Sequence, residues 1–136
     1  MTPASGFVGP LSAALIGLAA GVGCYLGIKL KNQFRYDDSL DVVGIHGVGG
    51  VLGLLATGLF ASKAVNPHGA DGLFNGNASQ LGIQLIAILV TTLYAFVLTF
   101  VILKVVDRLF GLRLPEDQEL SGLDLTQHDE TAYTRQ

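Results

Sequence analysis

The chain has 136 residues, half of them hydrophobic and only 14% charged, with a formal net charge of −3 at pH 7. Soluble domains carry about 25% charged residues, so this balance argues against a water-soluble enzyme, and no basic patch points to nucleic acid. The one cysteine, Cys24, lies in an apolar run and offers neither a disulfide nor a cysteine metal cluster. Met1-Thr2-Pro3 lacks the basic region of a signal peptide. The charges avoid three long blocks, which predicts an all-α fold: polytopic membrane helices, three transmembrane segments at about 7–28, 42–62 and 81–104.

The first block, Phe7 to Ile28, is twenty-two uncharged residues. Gly17–Gly21 and Gly23–Gly27 are small-xxx-small pairs, the spacing at which membrane helix backbones approach closely. Lys29, Lys31 and Arg35 follow in a short loop, and positive residues collect on the cytoplasmic side. The chain therefore starts outside and enters the cytoplasm here.

Asp37, Asp38 and Asp41 lead into the second block. At a helix N-terminus carboxylates complement the macrodipole, and Ser39 or Asp41 is placed to cap free N–H groups. The functional alternative is a vestibule that attracts cations. Val42 to Ser62 then holds a single ionisable residue, His46. An ionisable group within a membrane helix is a functional-site hypothesis by default. On an α-helix its face continues through Gly49, Gly50, Gly53 and Thr57, a strip almost without side chains. Such a strip admits a neighbouring backbone or leaves a narrow lane. A neutral imidazole there has one donor and one acceptor for a small polar solute or a proton relay. Its bland role is a hydrogen bond to a neighbouring helix. Metal binding is the weakest option, since the block has no Cys, Asp or Glu, and His68 and His128 lie outside it.

The far loop, Lys63 to Ser79, carries Asn66-Pro67 and Asn75-Gly76 and reads as a polar, mobile outer loop. The third block, Leu81 to Leu103, has little glycine and reads as lipid-facing. Lys104, Arg108 and Arg113 put its exit in the cytoplasm. Composition divides the chain into a membrane part, 1–113, and an acidic cytoplasmic tail, 114–136. Leu114, Leu120, Leu123, Leu125 and Tyr133 give that tail apolar anchors, which predict docking.

The motifs Thr2-Pro3-Ala4-Ser5-Gly6-Phe7-Val8-Gly9, Asp37-Asp38-Ser39-Leu40-Asp41-Val42 and His46-Gly47-Val48-Gly49-Gly50 resemble the ammonium transporter (Amt) family. So does the tail, Gly111-Leu112-Arg113-Leu114-Pro115, then Gly122-Leu123-Asp124-Leu125 and His128 to Tyr133. The resemblance covers essentially the whole chain. It implies the C-terminal third of an eleven-helix transporter of the cell membrane, assembled as a homotrimer with one pore per subunit. His46 would be the second of the family's twin pore histidines, in contact with ammonium or ammonia. No cofactor, metal or enzymatic role is implied. Gly122, Asp124, His128 and Tyr133 would belong to the tail that couples subunits and receives a PII-type signalling protein.

Two departures stand out. The family's first histidine, aromatic gate and outer recruitment site belong to helices that this sequence does not contain. Its tail usually reads His-Gly-Glu, whereas this chain has His128-Asp129-Glu130, which argues against a tight turn there. Beside the transporter fragment stands a second reading, a stand-alone three-helix protein that oligomerises through its glycine faces. An intramembrane enzyme with His46 as base fits worst, because the blocks offer no positioned nucleophile.

Overall fold

The computed structural model describes residues 2–131. They form five α-helices and no strand: α1 (Pro10–Phe34), α2 (Val48–Phe60), α3 (Ser79–Phe110), α4 (Glu116–Ser121) and α5 (Leu123–His128). A π turn at Val43–Gly47 runs directly into α2, and 3-10 turns lie at Thr2–Ala4 and Leu73–Asn75. α1, α3 and the continuous stretch Val43–Phe60 are each long and apolar enough to cross a membrane.

Helix ends differ from the charge boundaries. α1 starts with Pro10 at its first position, where a missing N–H costs nothing. It runs past Lys29 to Phe34 and stops where Arg35 turns left-handed (φ 54°), its N–H donating to Lys31 O at 2.8 Å. α3 overruns its expected end in the same way and stops at Gly111 (φ 75°), whose N–H donates to Asp107 O. The reason is the long lysine stem, which stays on the helix while the ammonium reaches outward. Lys29 Nζ lies 6.0 Å from the Tyr25 ring centre and Lys104 Nζ 5.8 Å from that of Phe100, each one turn back. The middle span is shorter than expected and ends at Phe60.

The described residues divide by contact into two compact units between Thr92 and Leu93, inside α3; the 113/114 boundary is one of composition. In the first unit, α1 packs on the π turn and on α2. Its buried core is small: Ala4, Ile16 and Ala56, with Val8 and Phe60 against them. No large side chain among the described residues is fully buried, and residues such as Leu18 stay 71% exposed. Burial this slight does not offset the chain entropy of a soluble fold. Surroundings other than water must cover these faces.

The loop between α2 and α3 is held by more hydrogen bonds than its composition suggests. Asp71 Oδ1 accepts from Lys63 N–H at 2.8 Å, and Asn66 Oδ1 accepts from His68 N–H. Ala61 O accepts from both Gly72 N–H (2.8 Å) and Asn75 Nδ2 (2.7 Å), while Ser62 N–H donates to Phe7 O. Loop and N-terminal segment are thus tied onto the end of α2. Gly72 is required there, because a Cβ would sit 2.7 Å from Leu59 O.

In the second unit, the tail forms two short helices joined at Gly122 (φ 97°). The turn that the missing glycine put in question is present. Asp129 adopts the left-handed conformation itself (φ 52°, ψ 36°), and Glu130 N–H closes on Asp124 O at 3.0 Å. Aspartate tolerates this region better than most side chains, which is why the departure does not abolish the turn.

Candidate functional site

Asp38, not Ser39 or Asp41, caps the second span. Its two carboxylate oxygens each accept one backbone N–H, from Val42 and from Val43, both at 2.9 Å. Asp41 instead adopts a left-handed conformation (φ 55°) and pairs with Lys31 Nζ. The same ammonium donates to Asp38 O at 2.9 Å. Lys31, which sequence reading used only as a marker of sidedness, therefore ties the end of α1 to the start of the second span. Asp37 is exposed beside them.

His46 stands on the π turn and is exposed. The turn changes which residues accompany it. Gly49 is buried, with Cys24 Sγ where a Cβ would be 3.3 Å away, and Gly53 is buried as well. Gly50 has open space where a Cβ would stand. The expected glycine strip is thus divided: Gly49 and Gly53 are buried, while Gly50 stays on an open side, as His46 does. Thr57 is also buried, its hydroxyl donating to Gly53 O at 2.9 Å.

The close approach of α1 is made by Gly23 and Gly27. A Cβ on Gly27 would lie 3.2 Å from Gly44 Cα, and one on Gly44 would lie 3.0 Å from Ile28 N. Gly21 of the other small-residue pair meets nothing within 4 Å. Sequence reading found Gly27 but not its partner Gly44. The signal was available, since Gly44 is the only glycine of the Asp41–Ile45 stretch.

At the other end of α2, Phe7, Thr57, His68, Gln80 and Gln84 line a cleft of about 410 Å³ in the first unit. Its polar groups come from segments far apart in sequence, so no motif announces it. Among the described residues no group of His, Cys, Asp and Glu is placed to hold a metal ion. In the tail, Gly122 O accepts both the N–H and the hydroxyl of Thr126, Asp124 O closes the last turn, and His128 ends α5 exposed. Tyr133 lies outside the described residues.

A family model described as the Ammonium Transporter Family matches residues 1–133. The ammonium transporter of Bacillus subtilis (strain 168) is 50% identical over 134 residues, 98% of this chain and 33% of that protein. Amt1 of Archaeoglobus fulgidus is 47% identical over 134 residues, 98% of this chain and 34% of its own. The chain thus spans about a third of the length of these curated relatives. The crystal structure of Saccharomyces cerevisiae Mep2 superposes with a TM-score of 0.75 at 36% identity, covering 82% of this chain and 27% of that one.

Proposed function

The chain belongs to the ammonium transporter family, and from that premise we propose that it serves as the C-terminal third of an ammonium transporter whose conduction path runs past His46. The observation that carries this reading is the setting of His46. It is the only ionisable residue from Val42 to Ser62, and it stands on the open side of a helix otherwise faced by glycine and aliphatic groups.

Chemistry then favours one cargo form. A bare cation in a narrow apolar lane is costly, whereas neutral ammonia needs only one or two hydrogen-bond partners. The imidazole supplies a donor and an acceptor without adding charge. A second histidine, from the helices that precede this third, completes the pair. The basic groups at the ends of α1 and α3 support an N-terminus outside and a C-terminus in the cytoplasm. The intact protein is a homotrimer in the cell membrane, and the α4–α5 tail with its acidic and leucine side chains is the docking element for neighbouring subunits and a PII-type protein.

Methylammonium uptake in cells without their own ammonium transporters tests this. Uptake is expected from the chain fused to the missing helices, not from the chain alone, and is expected to fall or lose selectivity in His46→Ala. Unchanged transport and selectivity in that variant would reduce His46 to a packing residue. Uptake by the chain alone would overturn the need for a partner half.

A further inference from the structure

We propose that α1 sets the orientation of His46, with the Cys24 thiol and the Gly27–Gly44 contact as positioning groups for the π turn. This rests on the reading of His46 as a pore residue. A π turn places one extra residue in a single turn. The chain before it is therefore rotated by about 100°, one residue step of a 3.6-residue helix, relative to an uninterrupted α-helix. Here the Val48 N–H is shared between Val43 O and Ile45 O. The Cys24 thiol donates to the same Ile45 O at 3.5 Å, reaching across from α1 to the residue that precedes His46.

The glycine contact holds this register. Gly44 meets α1 so closely that a Cβ would be 3.0 Å from Ile28 N and 3.3 Å from Gly27 C. Relaxing the π turn to a regular α-helix would rotate Gly44 away and bring Val43 or Ile45 towards that position. A contact this tight does not admit either side chain. His46 is thereby kept out of the α1 contact and on the open side. None of these groups touches the cargo; they act through the turn that carries the imidazole.

The test uses a full-length subunit whose last third is residues 1–136. Methylammonium uptake is measured against substrate concentration and divided by the amount of subunit in the membrane, for Cys24→Ala, Cys24→Ser, Gly44→Ala and His46→Ala. Cys24→Ala is expected to lower maximal uptake per subunit about two- to fivefold, the scale of a lost S–H···O contact, with the half-saturating concentration unchanged. Cys24→Ser, which keeps a donor for Ile45 O, is expected to restore it, and Gly44→Ala to lower it further. If Gly44→Ala does not reach the membrane, the Cys24 pair decides alone. Normal uptake per subunit in Cys24→Ala, with or without less protein in the membrane, would overturn the proposal while a defective His46→Ala kept the pore reading intact. Serine behaving as alanine would overturn the thiol's part. A normal His46→Ala would remove the pore reading, and this inference with it.

Discussion

Gly27→Ala offers a measure of how tightly α1 and the second span are joined, with Gly21→Ala as its control on the same helix. Both changes replace glycine by alanine inside α1, so the gain in helix propensity, up to about 1 kcal/mol, is common to both and cancels in their difference. What remains is the fit of one methyl group. At Gly21 it meets nothing within 4 Å; at Gly27 it meets Val48 Cγ2 at 3.1 Å and Gly44 Cα and O at 3.2 Å. Two of those three atoms are backbone and cannot rotate aside, so α1 must move by a few tenths of an ångström. Overpacking of this kind costs about 1–3 kcal/mol, and a shortfall this small belongs to the lower half, about 1–2 kcal/mol. Pulse proteolysis of the 136-residue chain across an SDS series in mixed micelles reads the fraction unfolded. Gly27→Ala is expected to unfold at a lower SDS fraction than Gly21→Ala by that free energy. Coincident midpoints would refute the close backbone contact.

Other changes separate the remaining devices. Asp38→Ala removes the acceptors for two N–H groups and is expected to cost about 1–2 kcal/mol in the same assay, whereas Asp38→Asn keeps one carbonyl acceptor and loses roughly half as much. Gly72→Ala places a Cβ against the Leu59 carbonyl, so the loop must lift off α2; cleavage between residues 63 and 78 by a protease without denaturant is the expected sign. Asp129→Gly relieves the left-handed turn and is expected to stabilise α5 by about 0.5–1 kcal/mol. Slower amide exchange at Glu130 would report it.

The spans were legible because apolar length is a crude and strong signal, and His46 stood out as a candidate because one ionisable side chain in such a run has no company. Helix ends were less so. Lys29 carries charge that composition assigns to a loop and Lys104 charge that composition sets at a helix end, yet both helices run on past them. The π turn was invisible, since nothing in Val43–Gly47 departs from a helical pattern; the turn exists because α1 fits Gly44 there. The cap fell to Asp38 rather than Ser39 or Asp41 because Asp41 is drawn to Lys31, a pairing between segments that local preference does not contain.

The loop tied onto α2 has a consequence for bilayer thickness. Val43–Phe60 is 18 residues long, about 27 Å at 1.5 Å per residue, slightly short of a hydrocarbon core of about 30 Å. A helix that ends early inside lipid ordinarily leaves bare carbonyls where no water reaches them. Here Asn75 Nδ2 and the Gly72 N–H already occupy Ala61 O, and Ala61 N–H occupies Thr57 O. The C-terminal end of this span carries part of its own substitute for the aqueous interface, so thickening the membrane by a few ångströms buries a partly capped terminus rather than an open one.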